Sequence, residues 1–248
     1  MGICRRSIKY EKDLKNHSCA ITTDKLEMIL FQANNCICDI KCAINGHGTG
    51  FFCKLPLEDS CNCVYVLITN NHVLENKDIE LGKKIKFTKE KETKIYEIVI
   101  DSERVVYSDE KSDTTFIEIK DHDKIEYNSF LDIDETINID DKNKFKNKDV
   151  YIIGNIDQYS SGKITDILED NYTIIHLCAT NPGMSGSPVI NLSNYRVIGI
   201  YRGAHLEKDL NIGIFIREPV NQFLNFYKNK INSSKKISSK KNQKNPQK

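Results

Sequence analysis

Two sets of short β-branched and aromatic runs, each about one strand long, constrain this chain more than any other feature. The first set lies at residues 51–55, 64–69, 84–88, 95–100, 104–107 and 115–119, and the second at 150–153, 163–168, 172–178, 188–191, 196–201 and 212–216. Short runs of this kind, bounded by turn residues, read as strands. A polar stretch at 120–148 separates the sets, so about six strands on each side of it predict two small antiparallel barrels or sandwiches. The length of 248 residues suits one large domain or two packed lobes with a sizeable core.

Helical patterning is confined to the ends. Leu26, Ile29 and Leu30 predict a short helix from Asp24 to Gln32, with Asp24 as its cap. Val220, Phe223, Leu224, Tyr227 and Ile231 follow the i, i+3, i+4, i+7 spacing, with Pro219 in a first turn that tolerates it. The expected organisation is a tail at 1–24, a first barrel at 25–125, a charged linker at 126–148, a second barrel at 149–218, a helix at 219–231 and a disordered basic tail at 232–248.

Charge narrows the function classes. Hydrophobic residues make up 39% and charged residues 29%, with 36 basic against 35 acidic, which excludes general disorder and a wholesale nucleic-acid binder. Eight Lys and no acid lie from Lys228 onward, leaving 28 basic against 35 acidic residues before it, a net of −7. The tail is a candidate contact for acidic partners, nucleic acid or lipid, weighed against a plain solvated tail. No run approaches the roughly 18–20 apolar residues of a membrane span, and the opening residues lack a secretory signal, so a cytoplasmic location is expected. Gly2, Cys4, Arg5 and Arg6 would suit a lipidated basic contact, but Arg6 stands where a myristoylation signal wants Ser or Thr. An ordinary flexible N-terminus is the expectation.

Nine Cys is an odd number, and thiols rather than bridges are expected in a reducing compartment. Cys36, Cys38 and Cys42 share a face with Ile40 if residues 36–42 form a strand, and Cys61-Asn62-Cys63 falls in a turn before the run at 64–69. The C-x-C pairs lack the usual zinc spacing, so no metal site is expected.

The stretch that points to chemistry is Gly183-Met184-Ser185-Gly186-Ser187-Pro188. Glycines flanking a serine permit a tight turn that pushes the hydroxyl outward and aims the Gly183 and Ser185 N–H groups at one point, where an oxyanion would sit. Taken alone the turn also fits a mere hairpin. A serine nucleophile needs a positioned base and a group to orient it. Of the six His, His72 ends the strand-like run before it and is the leading base. His17 and His122 lie in polar segments, His47 sits among glycines, and His176 and His205 remain rivals. Asp113 stands at the entrance of the run 115–119 and is the leading acid, with Asp101, Asp109 and Asp121 as alternatives.

Three motifs in this order resemble the trypsin-like serine proteases of the chymotrypsin fold. Gly48-Thr49-Gly50-Phe51-Phe52 with Leu67-Ile68-Thr69-Asn70-Asn71-His72-Val73 resembles the strand pair that presents the family's His, and Ser112-Asp113-Thr114-Thr115-Phe116-Ile117 its Asp segment. Asn181 to Val189, with Val197-Ile198-Gly199-Ile200, resembles its nucleophile loop and following strand. The Gly-Ser-Pro ending, with Gly213-Ile214-Phe215-Ile216 and the last helix, is most similar to the glutamyl endopeptidase and HtrA-type branch.

The resemblance spans about residues 33–226 and implies an all-β fold of two six-stranded antiparallel β-barrels, a C-terminal helix and a cleft between the barrels. It implies a serine endopeptidase acting on peptides without a cofactor, with Ser185 as nucleophile, His72 as general base and then acid, Asp113 fixing the His tautomer, and Gly183 and Ser185 as oxyanion donors. Ala179, Thr180, Tyr201, Arg202 and Gly203 would line the substrate pocket. The alternative is an inactive protease-like peptide-binding module. Two departures stand out. Met184 replaces the Asp that pairs with a new N-terminus in trypsin, so activation by that ion pair is not expected. Thr180 matches a glutamate-reading Thr, but Tyr201 stands where that branch has a His. A preference for small to medium uncharged or acidic residues is expected, with Arg202 adding charge at the rim.

Overall fold

Alternation along the central strands decides the layering. A computed structural model describes residues 21–42, 46–57, 62–89, 94–138, 142–154, 158–168, 170, 173–205 and 210–242. Strands β1 (Ile37–Cys42), β2 (Gly46–Pro56), β3 (Cys63–Thr69), β4 (Lys84–Lys89), β5 (Ile95–Val99), β6 (Val106–Asp109) and β7 (Thr114–Glu118) form a sheet in the order β5-β4-β1-β2-β3-β7-β6. The short β8 (Leu131–Asp132) joins β2 in parallel. On β2 and β3, Phe52 and Leu67 face one core cluster with Ile40, Phe87, Ile98 and Ile117. Their neighbours Phe51, Cys53, Val66 and Ile68 face the other cluster, which continues into the second barrel. A strand buried on both faces reads as an unbroken apolar run, and residues 64–69 do so for that reason.

The second unit is a closed barrel of six strands: β9 (Asp149–Ile153), β10 (Tyr159–Ile167), β11 (Thr173–His176), β12 (Pro188–Asn191), β13 (Val197–His205) and β14 (Leu210–Phe215), in the order β10-β11-β14-β13-β12-β9. The molecule is therefore mostly β, a half-barrel and a closed six-stranded barrel with a C-terminal helix, in the architecture that the resemblance implied. In the first unit, however, the ladder ends at β5 and β6 without closing.

The stretch expected as a charged linker is tied down. Phe145 is fully buried and stacks edge-on against Phe215 at 5.1 Å. The buried Asp134 carboxylate accepts from Asn191 at 2.8 Å and from Asn194 at 3.1 Å, so this strap is bonded to the second barrel.

The two helices cross over. Helix α1 (Thr23–Cys36) precedes the first sheet, yet its buried Gln32 donates to the Tyr195 carbonyl at 2.9 Å and accepts from the Tyr151 hydroxyl, both on the second barrel. Its N-cap is Thr22 rather than Asp24, which sits inside the first turn, where a carboxylate favours the helix dipole. Cys36 is its last residue, so Cys36 packs in a different cluster from Cys38 and Ile40 instead of sharing their strand face.

Helix α2 (Arg217–Asn242) follows the second barrel but docks on the first: Phe223 stacks on Phe116 at 5.0 Å, Tyr107 donates to Gln222 at 3.2 Å, and Lys230 donates to the Arg104 carbonyl at 2.7 Å. This helix corrects the expected end at 231. No Gly or Pro interrupts the chain until Pro246, and Lys, Ser and Asn extend a helix already nucleated by the docked turns. The tail expected to be disordered from 232 is helical as far as Asn242. Among the described residues no helix is long and apolar enough to cross a membrane.

Candidate active site

Strand β3 carries His72 to the cleft. Its buried Leu67 and Ile68 anchor the strand, and the chain turns at Asn70, whose carbonyl accepts from Val73 N and Leu74 N, both at 3.2 Å. The His72 side chain is left 46% exposed while that of Asp113 is 8% exposed. A turn ahead of β7 holds Asp113 at a φ of 52°, a left-handed conformation costly for a residue with a Cβ and common where surroundings over-determine a site. Here Asn70 Nδ2 donates to the Asp113 carbonyl at 3.0 Å.

Both Asp113 oxygens then face His72. Oδ2 is 2.9 Å and Oδ1 3.1 Å from its Nδ1, and Oδ1 also accepts the His72 backbone N–H at 3.0 Å. A carboxylate on Nδ1 holds the proton there and makes Nε2 the basic nitrogen. The Arg202 Nε is a further partner, 3.2 Å from Oδ2.

The Ser185 turn is locked to the first sheet. Thr49 N donates to the Ser185 carbonyl at 2.8 Å, the Thr49 hydroxyl to the Gly183 carbonyl at 2.8 Å, and the Thr69 hydroxyl to the Thr49 carbonyl at 2.7 Å. Gly186 has a φ of 90°, and a Cβ there would stand 2.0 Å from the Thr49 oxygen. Only glycine lets the two units approach so closely. Met184 is buried, and its sulfur lies 3.2 Å from the Asn181 N–H, so apolar burial holds the turn where trypsin uses an ion pair. Gly183, at a φ of 88°, fronts open space. Among the described residues, neither the Gly183 nor the Ser185 N–H donates to a backbone carbonyl. The Ser185 hydroxyl itself donates to the Arg202 carbonyl at 3.2 Å.

The structure thus pairs His72 with Asp113 and links Ser185 to that pair through Arg202, whose carbonyl takes the Ser185 hydroxyl and whose Nε faces Asp113. His72, Asp113, Arg202 and Gly203 line an open cleft of about 720 Å³ between the units, with Glu75 and Glu110 on its first-unit side.

The rival residues fall elsewhere. His176 is fully buried inside the second barrel, and burial pushes its pKa down to about 3. His47 pairs with Asp39 at 2.9 Å, and His122 lies 3.2 Å from Arg104. His17 and the side chain of His205 lie outside the described residues. Burial alone would raise the Asp109 pKa, but hydrogen bonds from Ser112 and Lys111 outweigh it and hold the carboxyl low, shaping the turn before Asp113. Asp101 caps Glu103 at 2.9 Å, and Asp121 is exposed. No group of three or more His, Cys, Asp or Glu that could hold a metal occurs among the described residues.

Thr180 and Tyr201 are joined, Oγ1 to hydroxyl, at 2.8 Å. The half-exposed Arg202 side chain lines the cleft beside Gly203, with its Nε on Asp113. Sequence reasoning missed Thr49, Thr69 and Asn70 as the groups that lock the turn and the His-bearing loop, and Asn211 as a partner of Thr180. Their only signal was position, at or beside expected strand ends.

This fold, a half-barrel beside a closed six-stranded barrel, is that of the chymotrypsin-like serine proteases. The trypsin-like peptidase domain family matches residues 48–200, more than half of the chain, and the chain belongs to that family. Among solved structures, it is similar to an inactive form of Rv3671c from M. tuberculosis H37Rv, a Ser343Ala mutant, with a TM-score of 0.56, 15% identity, and coverage of 83% of this chain and 93% of that one. The serine endoprotease from Yersinia pestis aligns with a TM-score of 0.55 and 17% identity over 83% of this chain and 68% of its own. At such identities the likeness concerns the fold. No curated protein matches the sequence.

Proposed function

We propose that this chain is a serine endopeptidase. The observation that carries the reading is the His72 Nδ1–Asp113 Oδ2 contact of 2.9 Å in a cleft also lined by Arg202, whose carbonyl takes the Ser185 hydroxyl. In the first step Ser185 Oγ turns from the Arg202 carbonyl toward His72, gives its proton to Nε2 and bonds to the peptide carbonyl carbon. Asp113 steadies the imidazolium, and the Gly183 and Ser185 N–H groups bind the oxyanion. His72 then protonates the departing amine, leaving an acyl-enzyme on Ser185. Water, deprotonated by His72, attacks that ester and frees the new carboxylate. Every proton transfer is served by these side chains, which is why a peptide and water suffice as reactants.

A second reading, a peptide-binding cleft without chemistry, takes support from the hydroxyl's bond to the Arg202 carbonyl. Labelling with a fluorophosphonate separates the two. Stoichiometric adduct on Ser185, absent in Ser185→Ala and in His72→Ala, is expected for the peptidase. An unlabelled, folded protein that still binds peptides would overturn it.

A further inference from the structure

The hydrogen bonds behind the Ser185 turn run in one proton direction only. Asn211 Nδ2 is 2.7 Å from the Cys178 carbonyl oxygen. A carbonyl only accepts, so the amide nitrogen must face it, and this fixes Oδ1 on the opposite side. Oδ1 likewise only accepts, and it lies 2.9 Å from Thr180 Oγ1, which commits the single Thr180 proton. At the 2.8 Å contact between Thr180 Oγ1 and the Tyr201 hydroxyl, Tyr201 must therefore be the donor. Every proton but one is consumed: the Tyr201 oxygen shows lone pairs, and Asn211 retains one N–H.

This relay adjoins the nucleophile. The Tyr201 carbonyl accepts from Gly186 N at 3.0 Å, and Tyr201 N donates to the Ser187 carbonyl at 2.7 Å. Thr180 and Asn211 are half-buried, and a Cβ at Gly203 would meet open space. The Tyr201 ring is backed edge-on by the fully buried His176 at 5.7 Å. The relay itself holds no cation: His176 behind it is neutral, and the nearest described guanidinium on its strand, Arg202, has its Nε on Asp113 while lining the cleft.

We infer that the Tyr201–Thr180–Asn211 relay makes this pocket select an amide side chain, glutamine or asparagine, before the cut bond, over the corresponding carboxylate. The inference rests on the peptidase reading and narrows its substrate class. An amide matches the relay in both senses, its N–H donating to the Tyr201 oxygen and its oxygen accepting from Asn211. A carboxylate meets lone pairs with lone pairs at Tyr201, and a site built for one hydrogen-bonding pattern discriminates against a group that leaves it unpaired.

The test uses the full chain and peptides that differ only in Gln, Glu, Leu or Lys before the bond. Expected is a kcat/KM for Gln at least about tenfold above Glu and above Leu. Glu cleaved as well as Gln overturns the inference. Thr180→Val gives the sharper readout, since it releases the Tyr201 proton to face the substrate. The Gln-to-Glu ratio then falls, whereas a purely structural role for Thr180 would lower both rates and leave the ratio alone. Fluorophosphonate labelling of the unmodified protein is indifferent to this side chain. Labelling with the wrong preference sinks the inference alone, whereas absent labelling sinks the peptidase reading. In that case the affinities of peptides ending in Gln or Glu, read by fluorescence anisotropy, decide the pocket's preference, and tighter Glu binding overturns it.

Discussion

Arg202 Nε lies 3.2 Å from Asp113 Oδ2, so the Asp113 carboxylate is shared between the His72 imidazole and a guanidinium from the second barrel. The same residue's carbonyl takes the Ser185 hydroxyl at 3.2 Å. One side chain therefore ties the first unit to strand β13 across the cleft. Arg202→Ala is expected to lower kcat by about five- to tenfold, the size of one half-exposed charge-assisted hydrogen bond, with little change in melting temperature. Steady-state kinetics with kcat and KM resolved separately checks this. An unchanged kcat would show that Asp113 holds its place without Arg202.

The members of a Ser-His-Asp set act as a unit. Ser185→Ala and His72→Ala should each cost up to about 10⁶-fold in turnover and Asp113→Asn about 10⁴-fold, while the double Ser185→Ala/His72→Ala loses little more than either alone. Asp109→Asn, which touches the turn and not the imidazole, should retain most activity. Abolished turnover in Asp109→Asn with an active Asp113→Asn would exchange their roles.

The two left-handed glycines of the Ser185 turn should respond differently to alanine. At Gly186 the added Cβ meets the Thr49 oxygen at 2.0 Å and Thr69 Oγ1 at 2.4 Å, and neither belongs to a flexible side chain end. At Gly183 it meets nothing within 4 Å, and only the backbone strain of about 1–2 kcal/mol remains. Urea denaturation should show Gly186→Ala as the more damaging change by several kcal/mol. Equal losses would mean that the barrels separate to admit the methyl.

His176 predicts an acid-sensitive fold. Burial lowers its folded pKa from 6.5 to about 3, so between those values the unfolded chain binds a proton that the folded chain does not. Its contribution to stability is intact above pH 6.5 and lost as pH falls toward 3, by up to about 1.4 kcal/mol per pH unit. Replacing it with Phe should flatten that slope in denaturant titrations taken from pH 7 to 4. A slope unaltered by His176→Phe would place the acid sensitivity elsewhere.

Thiol reactivity should divide by burial. Burial pushes the Cys36 and Cys178 thiols up to about 12 and raises Cys38 and Cys53 as well, whereas Cys63 is exposed. Iodoacetamide at neutral pH should therefore modify Cys63 in the folded protein and reach these four only after unfolding, as read by peptide mass mapping. Early modification of Cys38 or Cys53 would mean that the first sheet opens.

What the sequence determined by itself was the part governed by local periodicity and local backbone chemistry. The short β-branched and aromatic runs between turn residues set the two groups of strands, because such side chains fit a pleated, buried layer. Gly183 and Gly186 marked a tight turn because left-handed backbone selects glycine, and both adopt it. Motif order put His72, Asp113 and Ser185 forward among the histidines, acids and serines, and in the structure His72 faces Asp113. What only the tertiary structure decided was everything set by residues distant along the chain: α1 on the second barrel and α2 on the first unit, Thr49 and Thr69 on the Ser185 turn, and the Arg202 Nε on Asp113. The direction of the Thr180 proton belongs here too, since it is fixed by a carbonyl and an amide that come together only when β11 and β14 pair. Such contacts leave no period in the sequence, because closing the barrel, and not the local chain, brings their atoms within reach.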